Sequence, residues 1–462
     1  MAERPVEAAC LWLADVAGEP GSPPLERPTD ADVAIVGGGF TGLWTALFLK
    51  QLEPAADVVL LEGERIAYGA SGRNAGMVGE TFDHSHALAI VHFGLAEARR
   101  LAALARRNLD ELEAFCAERA PEAGFERSGQ LVFALEPRHL AELEEAKRAA
   151  EAVGIDDWRL LDADEARAEV ASPLYRGALL QPRAAIVHPA RLALALAREA
   201  RRAGVRVHEG TPVSAWRPRG AGVELDTPAG PLRARRAVLA TNAWSAALAP
   251  RLGRRFLALY DYVMASEPLT DADLDAIGWR ARSRAATDAR AFFHYYRLTP
   301  DRRLVWGTSD AVYHPGGRVG PECDHSPAHY AALAASFRHH FPQLRPLEFP
   351  YAWGGPICST TRFTPFFGAL AGGRLLYGLG YTGHGVGTTR VAGEILAHLA
   401  LERSNDLLDL ALVRKPPLPF PPAPLRGWAI ARVSRSLRRI DRGEPPGLLL
   451  RLLDRLGIGL SS

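Results

Sequence analysis

Three glycines and one carboxylate are spaced for a specific chemical task. Gly37, Gly39 and Gly42 fall in VAIVGGGFTG (33–42), and Glu62 closes the next apolar run, VVLLE, twenty positions after Gly42. A tight turn at Gly37, backbone exposed at Gly39 and close helix packing at Gly42 suit a diphosphate, and an acid at that distance suits ribose hydroxyls. Phe40 and Thr41 open the helix LWTALFLKQL, whose free N–H groups point at the phosphates. The chain is predicted to bind a dinucleotide.

Three further segments distinguish a flavin from a nicotinamide. YGASGRNAGMVG (68–79) has small residues around Ser71, Arg73, Asn74, Ala75, Gly76 and Met77, which suit close wrapping around a phosphate and ribityl chain. VLATNAW (238–244) is a strand ending in the small polar pair Thr241 and Asn242. GLGYTGHGVGTTRVAG (378–393) repeats the order strand, glycine turn, helix far from the first motif. It brings a second helix N-terminus, through Gly380, Thr382, Gly383, His384, Gly385 and Val386, to a charge such as reduced flavin carries. The reading is FAD.

The elements around these motifs set the class as α/β. A chain of 462 residues holds two sizeable domains, and 48% hydrophobic with 23% charged residues is ordinary for a globular protein. A net charge of +2 predicts no nucleic-acid partner. Four cysteines without framework spacing, no signal-like start and no membrane-length apolar run lead to the expectation of a cytoplasmic protein. Helices are predicted over 87–119, 138–153, 190–203 and 386–402. Strands are predicted at 128–135, 205–210, 222–227, 237–241 and 374–380, with long aromatic strands at 256–266 and 291–310.

In order along the chain, VAIVGGGFTG, ASGRNAG, VLATNAW, YYRLTPD (295–301), WGGP (353–356) and GYTGHGV (380–386) resemble the D-amino-acid oxidase, glycine oxidase and sarcosine oxidase flavoproteins. The likeness is greatest to the branch of gamma-glutamylputrescine oxidoreductases. The resemblance implies a discontinuous Rossmann-like FAD domain (31–83, 155–246, 366–412, with Val213 also at the cofactor) and a substrate domain with a mixed, largely antiparallel sheet (84–154, 247–365). An N-terminal extension (1–30) and a Pro-rich linker with basic helices (413–462) flank them. The implied reaction is oxidation of an amine or amino-acid C–N bond by hydride transfer to flavin N5. Imine hydrolysis follows, and O2 is the acceptor, giving H2O2. A dehydrogenase feeding a quinone or carrier, and a flavin-binding protein without turnover, are the alternatives.

On that reading His294, Tyr296, His384 and Arg73 are candidate catalytic residues, and Tyr260, Tyr262, Tyr295, Arg297, Trp353 and Arg362 candidate substrate contacts. Strand alternation puts His294 and Tyr296 on one face and Tyr295 and Arg297 on the other, without saying which faces flavin. Sarcosine-oxidase-type relatives place a lysine beside flavin, yet this chain has none between Lys147 and Lys415. Arg73, His294, Arg297 or His384 then remains to supply positive charge. Cys358 resembles in position a cysteine that bonds flavin in some relatives; a buried free thiol is the other outcome. No metal ligand set is expected. The arginine-rich tail (426–456) is expected to pack on the body or on a second subunit of a homo-oligomer.

Overall fold

The protein is described here by a computed structural model covering residues 4–82, 84–280 and 284–455. Apolar runs buried on both faces build its first sheet. Val33, Ile35, Val58 and Leu60 point into one cluster with the helices, while Ala34, Val36, Val59 and Leu61 point into a second on the other side. Such two-sided burial requires parallel strands covered by other elements on both sides. The strand order is Phe366–Leu370, Leu375–Leu379, Gly230–Leu239, Thr29–Val36, Val58–Leu61, Arg206–His208. All neighbours are parallel except the first pair, and Ala215–Arg219 and Gly222–Thr227 add an antiparallel extension to Gly230–Leu239.

Segments distant in sequence therefore meet in this sheet. Helices Phe40–Leu52 and Gly385–Leu401 lie against each other so closely that a Cβ on Gly393 would stand 2.5 Å from Trp44 Cβ.

The second sheet is mixed, with eight strands in the order Tyr351–Ser359, Leu257–Pro268, Arg303–Thr308, His294–Leu298, Ala285–Asp288, Gln130–Ala134, Gly177–Gln181, Arg159–Leu161. Ala285–Asp288 and Gln130–Ala134 are its parallel pair. The strands 159–161 and 177–181, inside the 155–246 segment, thus pair in this sheet and not the first. One face packs under helix Pro327–His340, and the other turns to the first sheet's helical layer.

Three predicted elements are corrected. The helix expected over 87–119 breaks at Gly94 (φ +82°) into His86–Phe93 and Leu95–Arg119. The single strand expected over 291–310 is a hairpin that turns at Arg302 (φ +65°). In the tail, Leu425–Ile440 is a 16-residue helix, not a short one. Asp441 at its end accepts from Ala291 N (2.7 Å) and Phe292 N (3.0 Å), and Arg438 donates to both carboxylate oxygens of Asp310, so the tail docks on the second sheet's loops.

Candidate active site

At the first glycine turn the backbone leaves no room for side chains. Gly37 has φ +115°, and a Cβ on Gly42 would lie 2.0 Å from Gly37 O. Glu62 Oε2 accepts from Gly38 N (2.6 Å) and Oε1 from Glu64 N (3.0 Å), which fixes the carboxylate beside the turn. Burial raises its pKa, against the pull of those two N–H groups. Gly39, the N-cap of helix Phe40–Leu52, has no side chain to cap the helix, and Ser71 Oγ accepts from Phe40 N (2.9 Å).

Helix Gly385–Leu401 brings its own N-terminus to the same place. Thr41 Oγ1 donates to Tyr381 OH (2.9 Å), tying the start of one helix to the turn before the other. Gly380 (φ +86°), Thr382 (φ +46°) and Gly383 (φ +88°) make that turn, and Asn242 Oδ1 accepts from Gly380 N at 3.4 Å. Thr241 is held by Ser245 (2.9 Å), and Val213 packs half-buried against the cluster behind the strands. His384, the second N-cap, also makes no side-chain cap bond, and its ring meets His84 edge-on at 4.8 Å. Burial and the neighbouring His84 lower the His384 pKa to about 3, so the ring is neutral.

The loop Ala70–Met77 lies between the two sheets and is braced from three sides. Asn74 Nδ2 donates to Ala70 O and Ser71 O (both 3.0 Å), while its Oδ1 takes Gly76 N (2.7 Å). Ala75 is buried, and Met77 pairs with Ile186 in a two-stranded ribbon. Trp12 of the N-terminal extension donates to Asn74 O (2.8 Å), and Trp353 of the second sheet donates to Arg73 O (2.8 Å). Arg73 is buried with Asp324 (2.6 Å), so its charge is matched.

Strand alternation then decides which sequence-predicted residues reach this region. Trp353, Val263, Ala265 and Val305 join the cluster that contains Ile35 and Phe40, and Tyr295 packs against it. His294, Tyr296, Tyr260 and Tyr262 lie on the opposite face. Tyr296 and Tyr175 share a hydroxyl hydrogen bond in the outer core. Tyr260 and Tyr262 donate to Gly320 O (3.2 Å) and Cys323 O (3.0 Å). His294 stacks on Trp306 and joins Asp288, Arg290 and His340. Burial lowers its pKa to about 4. Asp288, His294 and His340 converge as metal ligands would, but the Arg290 guanidinium reaches into the same cluster.

Both arginines considered for a substrate carboxylate spend donors on backbone carbonyls, although Arg297 Nε is buried without a hydrogen-bond partner. Arg362 donates to Thr364 Oγ1 (2.6 Å) and to the carbonyls of Pro365 (3.0 Å), Leu412 (3.0 Å) and Lys415. Arg297 gives NH1 to Gly76 O (2.9 Å) and Val187 O (3.0 Å) and lies over Trp12. Burial lowers their pKa values to about 10 and about 9. Cys358 shares the Tyr260 face, among Ala258, Phe256 and Leu379, where burial raises its thiol pKa.

Sequence reasoning missed Asp261, Asp324 and His84. Asp261 had a signal, a lone charge centred in the apolar strand LALYDYVMAS. It lies on the Trp353 face with Tyr295 OH donating to its Oδ2 at 2.6 Å.

Two converging helix N-termini whose N-cap residues make no side-chain cap bond, a fixed acid and a glycine turn closed to any Cβ would suit an adenine dinucleotide. Residues 32–399 match the family DAO, FAD dependent oxidoreductase. The chain is 33% identical over 404 residues to the gamma-glutamylputrescine oxidoreductase of Escherichia coli (strain K12), covering 86% of this chain and 89% of the relative. Among solved structures it resembles glycine oxidase from Geobacillus kaustophilus (TM-score 0.68, 23% identity, 83% of this chain and 99% of that one). It also resembles L-proline dehydrogenase from P. horikoshii (TM-score 0.68, 16% identity, 90% and 100%). At these identities the two structures support the fold. The family match and the full-length relative together show that the chain belongs to the DAO family of FAD-dependent oxidoreductases.

Proposed function

We propose that this oxidoreductase oxidises the C–N bond of an amine or amino acid, in keeping with the amine-derived name of its 33%-identical relative. The observation that carries the reading is the Thr41–Tyr381 bond, which joins two helix N-termini from opposite ends of the chain beside the Trp353 face. FAD bound there supplies a hydride acceptor for the carbon next to nitrogen. Gly37–Gly42 and Glu62 would hold its diphosphate and ribose, Ser71–Met77 its ribityl chain, and Gly380–Val386 its flavin end. Residues 31–83, 155–246 and 366–412 form the flavin-binding part, apart from the two strands in the second sheet.

The chain's own contribution is positioning and exclusion of water. Trp353, Val263 and Val305 make an apolar wall, which favours the neutral amine that hydride loss requires. The oxidised product, an imine, hydrolyses to a carbonyl compound and a smaller amine or ammonia. Anaerobic bleaching of the flavin by an amine or amino-acid panel tests this. Bleaching is expected, and a flavin that no panel member reduces refutes it.

The acceptor has two readings. O2 giving H2O2 is the first. A quinone or carrier protein is the second, and the state of three of the four candidate cations favours it. His384 and His294 are held neutral, Arg73 is matched by Asp324, and Arg297 is tied to carbonyls. Of the four candidate cations, Arg297 keeps a charge that no carboxylate pairs with, and its Nε is buried without a hydrogen-bond partner. Substrate-dependent peroxide formed under air as fast as anaerobic reduction would decide for O2.

A further inference from the structure

The tail lies beyond residues 32–399, the span that matches the family. After the proline-rich stretch 415–424 it forms two helices, Leu425–Ile440 and Leu448–Arg455, joined where Gly447 N donates to Ser436 Oγ (2.6 Å). Ser436, Leu437 and Leu450 are buried, and Asp441 and Arg438 tie the pair to the second sheet's loops. The outward side is left open. Leu425 and Trp428 are 59% and 57% exposed at the start of the first helix. Leu448 and Leu452, one turn apart on the second, are 84% and 54% exposed. Large apolar side chains exposed together mark a contact surface.

The charges around them have one sign. Arg432 and Arg435 follow Trp428 at helical spacing on the same exposed face, and the Arg432 guanidinium lies over the Trp428 ring at 5.4 Å. Arg451 is exposed beside Leu448 and Leu452. Among the described residues no acid pairs with Arg432, Arg435 or Arg451. Within 425–453 the acids are Asp441, held by Ala291 N and Phe292 N, and Glu444, paired with Arg439; in the sequence Asp454 is offset by Arg455.

A second copy meeting this face across a two-fold axis would set Arg432 and Arg435 against their own counterparts. An anionic bilayer supplies phosphates for the guanidinium groups and an apolar layer just beneath them for Trp and Leu. No helix among the described residues is long and apolar enough to cross a membrane, so the contact is with its surface.

We propose that helices Leu425–Ile440 and Leu448–Arg455 dock the protein on the surface of a membrane that carries anionic phospholipid. Trp428 and the exposed leucines enter the headgroup layer, while Arg432, Arg435 and Arg451 hold phosphates. The inference stands apart from the amine-oxidation reading, because neither the glycine turns nor the inner face of the second sheet takes part. It bears on the acceptor, since a quinone is dissolved in the same bilayer.

The test uses full-length, FAD-loaded protein and vesicles of phosphatidylcholine, pure or mixed equally with phosphatidylglycerol, with partition read by co-sedimentation. Each arginine near an anionic surface strengthens binding about fivefold, so Arg432 and Arg435 alone give a preference of roughly 25-fold for the mixed vesicles. The preference is expected to shrink as salt is raised from about 0.1 M to about 1 M. Arg432→Glu with Arg435→Glu is expected to abolish it, and Trp428→Ser to weaken binding several-fold. Arg148→Glu with Arg235→Glu makes the same change in net charge at exposed positions elsewhere and is expected to leave the preference intact. All these positions are exposed, so each variant should hold as much flavin as wild type, read from its absorbance.

Equal binding to both vesicles, or binding to neither, overturns the inference. Loss of the preference in the Arg148 and Arg235 variant also overturns it, because net charge alone would then suffice. Tighter binding of a single-stranded RNA than of the mixed vesicles would give the face to nucleic acid instead. A concentration-dependent dimer in sedimentation velocity that Trp428→Ser dissolves would give it to a second copy. Flavin reduction by amines enters none of these readouts, so failure here leaves the proposed reaction standing.

Discussion

Asp261→Asn has a stability signature that depends on pH in a calculable way. Burial pushes the Asp261 carboxyl from its ordinary 3.8 up to about 7. The folded state therefore holds a proton that the unfolded state has released between these values. For an acid raised in this way, stability falls as pH rises through the window, and the full cost is present above about 7. With about 1.4 kcal/mol per pKa unit, the cost is about 1.5 kcal/mol at pH 5 and about 4 kcal/mol at pH 8. Asparagine removes the charge and keeps an oxygen for Tyr295, but buries an unpaired amide at about 1–3 kcal/mol. The variant should match or fall below wild type at pH 5 and exceed it at pH 8, a relative swing of about 2–3 kcal/mol. Thermal midpoints of the flavin-loaded proteins without amine, at both pH values, read the swing directly. For a chain of this size about 1–2 °C per kcal/mol is expected. A difference between variant and wild type that stays constant from pH 5 to pH 8 would refute the reasoning, because it would mean that Asp261 does not titrate there.

Other outcomes follow from the same geometry. Gly42→Ala puts a methyl 2.0 Å from Gly37 O and should yield protein without flavin, read as loss of 450 nm absorbance after incubation with FAD. Arg362→Ala strips donors from three carbonyls and Thr364, and should cost about 3 kcal/mol or more while changing amine affinity less than twofold. Retained stability with a large loss of affinity would return Arg362 to the substrate. Acid precipitation should release the flavin, since Cys358 is buried among apolar groups that disfavour its thiolate; flavin remaining on the pellet would contradict this.

Much of the fold was legible because it rests on local rules. The continuous apolar runs at 33–36 and 58–61, the glycines at 37, 39 and 42, and the helix after Gly385 each follow from a pattern that a short segment contains. The long-strand reading of 291–310 failed because the turn at Arg302 needs a left-handed residue, and arginine gives no such signal. The break at Gly94 was missed because one glycine inside a helical pattern is normally tolerated. The LWL cluster at 11–13 stands out as the apolar part of the N-terminal extension, but nothing in its spacing names what it packs on. Trp12 braces Asn74 and lies beneath Arg297, contacts made across more than sixty residues.

The sequence by itself determined that a dinucleotide turn exists, that a second helix start follows it far along the chain, and that aromatic strands lie between them. It also determined that His294 and Tyr296 share one face while Tyr295 and Arg297 share the other, since a strand's side chains alternate with period two. Which face meets the nucleotide-binding part was decided only by tertiary structure, through helix Pro327–His340 covering one side and the loop Ala70–Met77 meeting the other. The same holds for the arginines and for Asp261. Whether a buried polar atom is satisfied depends on every group around it, and those groups come from segments hundreds of residues apart.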